Sequence, residues 1–203
     1  MPTALLETKL HVPRPRRGLV PRSRLSERLD RGTTSKLILV SAPAGFGKTT
    51  LLADWLAAAT NEGSAAWLSL DQGDNDPASF WTYVIAAVRT VAPGVGASEL
   101  AHLQAPQPPP IQMVLTTLLN DLGAISNDVV LVLDDYHVID APDVQDGMAF
   151  LLDHLPPQVH LVISSRADPA LPLARLRGRA NSSRLAPPSC ASHRRRPRRT
   201  STG

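Results

Sequence analysis

The sequence predicts an α/β fold in which helices cover both faces of a parallel sheet. Three observations carry that expectation. Short unbroken apolar runs, at Leu37 to Val40, Val129 to Leu133 and Val159 to Ile163, have the length of strands and no polar face, as strands buried on both sides do. Segments with apolar residues at three- and four-residue spacing alternate with them, as in successive β-α-β units. The first run also feeds Ser41-Ala42-Pro43-Ala44-Gly45-Phe46-Gly47-Lys48-Thr49-Thr50, a loop of small residues that opens a helix. Together they describe a P-loop NTPase-type sheet.

That loop has the composition a polyphosphate requires. Small residues let the backbone N–H groups of Ala44, Gly45, Phe46, Gly47, Lys48, Thr49 and Thr50 turn inward on an anion, and the positive end of the following helix faces the same charge. Lys48 is placed to reach the terminal phosphates and the Thr49 hydroxyl to ligate Mg²⁺. One position departs from the pattern: where it begins with Gly, six residues before the lysine, this chain has Ala42, which adopts positive φ less cheaply.

The 203 residues suffice for one domain with a real core, and 43 % apolar with 19 % charged content describes a globular protein. No apolar run has the length of a membrane span, and the start lacks the layout of a secretory signal. The lone Cys190 excludes an internal disulfide framework and fits a reducing cytoplasm. The net charge of +3 is uneven. Residues 1–168 carry 12 Lys/Arg against 18 Asp/Glu, a net −6, whereas residues 169–203 carry nine Arg and no acid, a net +9. The basic character therefore belongs to the tail and not to the body.

Residues 1–36 form a basic, proline-punctuated lead-in. Pro13, Pro15 and Pro21 oppose helix, and Ser23 then caps a short one with Leu25 and Leu29 on one face. Such a lead-in either lies against a nucleotide base or packs as an extended arm. After the P-loop helix, Leu51 to Ala59, the run Ala65 to Leu70 reads as a second buried strand. Asp76-Pro77 starts a helix whose Phe80, Trp81, Val84, Ile85 and Val88 make a core-facing stripe rather than a ligand cage. Residues 92–110 read as a long irregular connection, followed by a helix from Ile111 to Gly123. The strand at Val129 ends in Asp134-Asp135, about 85 residues after the Gly-Lys-Thr loop. At the carboxyl end of a central strand these acids enter the crevice where ligands of doubly wound sheets bind. Asp134 is expected to hold Mg²⁺ and Asp135 to orient or deprotonate an attacking water. A helix from Ala141 to Leu155 precedes the last legible strand, and Arg166 just past that strand is level with Asp134, placed to sense a terminal phosphate. His137, His154 and His160 show no metal-ligand spacing.

The order of motifs resembles the large ATP-binding regulators of the LuxR type, the MalT-like transcription activators. The resemblance rests on Thr8-Lys9-Leu10 with Pro13-Arg14 and Leu19-Val20, the loop Ala42 to Thr50, and Asp74-Asn75-Asp76-Pro77 with Phe80-Trp81. It continues with Leu131-Val132-Leu133-Asp134-Asp135-Tyr136-His137 and Ser164-Ser165-Arg166-Ala167-Asp168-Pro169, and covers residues 5 to 179. It implies a signal-transducing ATPase of the STAND class, with ATP and Mg²⁺ as cofactors and slow hydrolysis, in which bound ATP stabilises a self-associating state. The lone cysteine and the lack of a secretory signal or membrane-length run make a cytoplasmic protein with no membrane partner the expectation. The family's sensor and helix-turn-helix regions have no counterpart here, so no specific DNA binding is carried over.

The domain is expected over residues 37–179. Beyond it the family continues with a strand that completes the sheet, whereas residues 180–203 have no periodicity and read as a disordered Arg/Pro/Ser-rich tail. Out-of-frame translation of a GC-rich message yields such a composition, which makes the chain a truncated regulator whose sheet lacks its last strand. Two alternatives stay open: an autonomous P-loop ATPase or kinase, and a nucleic-acid-binding protein acting through the basic tail.

Overall fold

The computed structural model describes residues 5–14, 23–33, 35–58, 64–173, 175 and 182–185. Five parallel strands, β1 (Leu37–Ser41), β2 (Ala65–Ser69), β3 (Val129–Asp134), β4 (Val159–Ser165) and β5 (Ser182–Leu185), stand in the spatial order β2-β3-β4-β1-β5. The helices described are α1 (Ser23–Gly32), α2 (Lys48–Ala58), α3 (Pro77–Arg89), α4 (Ala97–Leu103), α5 (Ile111–Gly123) and α6 (Pro142–His154).

The continuous apolar runs are explained by two cores, one on each face of the sheet. Leu37, Leu39, Leu131, Leu133, Leu161 and Ile163 point to one face and pack with α3, α5 and α6. Ile38, Val40, Trp67, Val132 and Val162 point to the other, where Leu29 of α1 and Leu51, Leu52 and Trp55 of α2 cover them. Period-two alternation in each strand thus feeds both layers, and each buried large apolar side chain contributes about 1.5–3 kcal/mol. The stripe on α3 is core: Phe80, Trp81, Val84, Ile85 and Val88 are all buried, with Phe80 and Trp81 packed edge to face at 5.0 Å. A hydrogen bond from Trp55 Nε1 to Asp30 Oδ1 (2.7 Å) ties α2 to α1.

The lead-in is held by charge. A single 3-10 turn, Glu7–Leu10, carries Lys9 into a buried position, where its Nζ lies 2.7 and 2.6 Å from the two oxygens of Asp74 and 3.1 Å from Asp71 Oδ2, over the Tyr83 ring. The same short motif does three further things. Asp74 Oδ2 accepts from Asp71 N in a capping box over the 3-10 turn Gln72–Asn75. Asn75 Oδ1 accepts from the N–H groups of Asp140 and Ala141 while its Nδ2 donates to Val138 O at 2.8 Å. Asp76 caps α3 at Ser79 N (2.8 Å), with Pro77 in its first turn. One loop therefore binds the arm, α3 and the segment after β3. Within the lead-in of residues 1–36, residues 1–4, 15–22 and 34 lie outside the described residues.

Two expectations are corrected. The connection over 92–110 contains α4. Gly96 at φ 71° starts it, and its N–H donates to Asp121 Oδ2 at 3.0 Å. A Cβ at Gly96 would stand 2.4 Å from Ile85 Cγ2, so only glycine fits the turn. The sheet also does not stop at four strands: β5 pairs in parallel with β1, Leu37 opposite Ser182 and Val40 opposite Leu185, and Leu185 is buried in the core under α1 and α2. Backbone pairing with β1 and one buried leucine make the strand, which a search for apolar periodicity misses. The remainder of the expected tail, residues 186–203, lies outside the described residues.

Candidate functional site

The candidate site lies at the carboxyl-terminal rim of the sheet, where β1 and β3 end on either side of β4. Between β1 and α2 the loop turns through Gly45 (φ 80°) and Gly47 (φ 71°), left-handed conformations that glycine adopts without strain. Ala44, Gly45 and Phe46 are exposed at its tip, Thr49 and Thr50 are half-buried, and Lys48 is buried. The first N–H groups of α2, from Lys48 onward, have no helical carbonyl to bond, since the ladder opens with Leu51 N to Gly47 O at 2.9 Å.

Ala42 costs the loop nothing. Its φ is negative, its N–H donates to Ser165 O of β4 at 3.2 Å, and its carbonyl accepts from Lys48 Nζ at 2.8 Å. The position is a strand end rather than a left-handed turn, so a methyl group fits. Lys48 Nζ also lies 3.3 Å from Pro43 O.

Thr49 Oγ1 donates to Asp134 Oδ2 at 2.7 Å, joining the start of α2 to the end of β3 across 85 residues of sequence. Asp134 is 3 % exposed, and its other oxygen, Oδ1, is buried without a hydrogen bond. Burial raises the pKa of this carboxyl above its usual value, and the charge of Asp135 adds to that, while Ser164 and the Thr49 hydroxyl oppose it. Ser164 is fully buried at the end of β4, one step beyond the Leu133–Ile163 pair, close enough to influence the Asp134 carboxyl although its Oγ falls short of hydrogen-bond geometry.

Asp135 follows directly, held at φ 58°, ψ 34°, the one non-glycine residue with positive φ among those described. Such backbone strain at a rim of polar residues marks a constrained position. Its carboxylate is half exposed, and Oδ1 stands 3.6 Å from His137 Nδ1. Burial lowers the His137 pKa below its usual value, helped by the charges of Arg166 and Lys48 and opposed by Asp135 and Asp134. Arg166 is exposed just past β4, where Ser165 Oγ donates to the Ala167 carbonyl and shapes the turn. The structure thus brings Lys48, Thr49, Asp134 and Asp135 to one rim and leaves Arg166 within electrostatic reach of the neighbouring His137. The sequence reading assigned no task to Ser164 or His137. The adjacency of β4 to β3, which places Ser164 beside Asp134, has no local sequence signal.

A hydroxyl, a buried carboxylate with one oxygen unpartnered, a lysine and a helix start on one rim fit a magnesium-bound polyphosphate. Among the described residues no helix is long and apolar enough to cross a membrane.

Comparison with known proteins agrees with this geometry. The family model of the AAA ATPase domain matches residues 22–164. The chain is 38 % identical over 175 residues, 86 % of its length, to the HTH-type transcriptional regulator MalT of Cronobacter sakazakii, and spans 19 % of the length of that relative. In fold it is similar to a crystal structure of a STAND protein with a tetratricopeptide repeat sensor from Pyrococcus horikoshii (TM-score 0.56, 15 % identity, 86 % of this chain and 24 % of that one). It is also similar to Cdc6p from Pyrobaculum aerophilum (TM-score 0.52, 20 % identity, 86 % and 46 %). With a parallel α/β sheet, a phosphate-loop rim and a family match over most of its length, the chain belongs to the AAA ATPase domain family.

Proposed function

We propose that this chain is the ATP-binding switch domain of a cytoplasmic, MalT-like transcriptional regulator, in which bound nucleotide rather than rapid turnover sets the signalling state. The observation that carries the reading is the 2.7 Å hydrogen bond between Thr49 and Asp134, which puts the two expected metal-holding groups in contact at the mouth of the loop. In this reading the N–H groups from Ala44 to Thr50 cradle the phosphates, and Lys48 exchanges the carbonyls of Ala42 and Pro43 for terminal phosphate oxygens. Thr49 and Asp134 hold Mg²⁺, which neutralises charge on the phosphates. Asp135 orients and deprotonates the attacking water during slow hydrolysis, and Arg166 senses the terminal phosphate. ATP-bound chains self-associate. The acidic body, with a net charge of −6 over residues 1–168, opposes unspecific nucleic-acid binding outside this rim.

The test is a thermal shift. At ATP–Mg²⁺ about 100-fold above its Kd the folded state gains about 2.7 kcal/mol, a rise in Tm of roughly 5–10 °C for a domain of this size. A shift that persists unchanged in EDTA would remove the metal-holding roles, and no shift at all would remove the reading.

A further inference from the structure

His137 has so far no task, yet its position is unusual. Its Nδ1 is shielded from solvent and makes no hydrogen bond, and Asp135 Oδ1 stands only 3.6 Å away, just outside bonding range. The ring is mounted on a rigid turn, Tyr136–Val138. Tyr136 beside it is fully buried with its hydroxyl on Gln145 Oε1 (3.2 Å), and the carbonyl of Val138 accepts from Asn75 Nδ2 at 2.8 Å. Asp135 on the other side is locked in the left-handed region. A buried polar atom without a partner is costly, so its retention beside a carboxylate calls for an explanation in the chemistry of the rim.

We propose that His137 is the positioning residue for Asp135: its Nδ1–H closes onto Oδ1 and aims the carboxylate at the water that attacks the terminal phosphate. In that step the water oxygen forms a bond to the γ-phosphorus, and the β–γ bridging oxygen departs with its electron pair on ADP. The water proton passes to Asp135, while His137 keeps its own. Burial, helped by the charges of Arg166 and Lys48, favours the neutral imidazole, which has one donor nitrogen and one acceptor nitrogen, and a facing carboxylate selects Nδ1 as the donor. The proposal rests on the reading of Asp135 as the base.

Two measurements on the full chain test it. The first is ring ¹⁵N chemical shifts of His137 in buffer without nucleotide. The Nδ1–H tautomer is expected in the unsubstituted protein and its loss in Asp135→Asn; an Nε2–H tautomer in the unsubstituted protein overturns the proposal. The second is single-turnover ATP hydrolysis. His137→Phe is expected to slow it about tenfold at unchanged ATP affinity, and His137→Asn, whose amide replaces the Nδ1 donor, to recover most of the rate. Should His137→Phe turn over normally while Asp135→Asn is slow, the inference fails and the base remains. Should Asp135→Asn turn over normally, or the unsubstituted chain not turn over at all, the base reading fails and takes the inference with it.

Discussion

At Asp134 burial and hydrogen bonding pull in opposite directions. The carboxyl is nearly inaccessible and has one oxygen unpartnered, so its native pKa lies above the ordinary 3.8. The native state therefore holds this proton more tightly than the unfolded chain does. As pH rises from below 3.8, the unfolded chain loses its proton first, and the contribution of this group to stability falls until the raised native value is passed. At neutral pH the buried charge is thus a standing cost in the absence of a cation. Asp134→Asn, which can still accept from Thr49 and offers an N–H toward Ser164, is expected to stabilise the protein without nucleotide by about 1 kcal/mol, or roughly 2–4 °C in Tm. The same variant should lose Mg²⁺-dependent nucleotide binding. A lower Tm in calorimetry would contradict this account of the site. The residue types at the rim were legible because the loop and the Asp-Asp pair are local patterns. The left-handed backbone of Asp135 was not, since nothing in its neighbours demands positive φ from an aspartate.

Among the elements, the arm that carries Lys9 shows how a sequence motif acquires a mechanical meaning. In the sequence Asp74-Asn75-Asp76-Pro77 is a mark of resemblance; in the structure Asp74, Asn75 and Asp76 each have a partner, and the partners of Asp74 and Asn75 include residues 63 to 66 positions away. The Lys9 pKa is raised above 10.5 by its bonds to Asp74 and Asp71, which together outweigh its burial, and that of Asp71 is lowered below 3.8 by its bond to Lys9. The clamp is therefore at full strength between those values. It weakens as pH falls through the native value of Asp71 or rises through that of Lys9. Lys9→Met leaves the Asp74 carboxylate buried without its cation and is expected to cost about 3 kcal/mol in urea unfolding. Adding Asp74→Asn to it should restore most of that, and a single variant within 0.5 kcal/mol of the parent, as is usual for surface substitutions, would show the pair to be idle. Elements of strong period were readable in advance: α3, α5, α6 and the central strands. α4 has seven residues, shorter than a reliable helical period, and β5 owes its existence to pairing with β1 and a single buried leucine.

For the whole molecule, the parallel sheet followed from apolar runs with no polar face, and the acidic body from dividing the charge along the chain. The strand order did not. β4 stands between β1 and β3, and that insertion places Ser164 and Ser165 beside Asp134 and the loop after β1. Non-local order of this kind is set by how helices pack on the two faces and leaves no local trace. The central claim is that the rim built by this order binds ATP with Mg²⁺ through Lys48 and Asp134. It is tested most directly by titration calorimetry of the chain with ATP–Mg²⁺ beside Lys48→Ala and Asp134→Ala. The account predicts saturable binding by the parent and at least about a tenfold loss, more than 1.4 kcal/mol, in each variant. Equal affinity in all three proteins would contradict it.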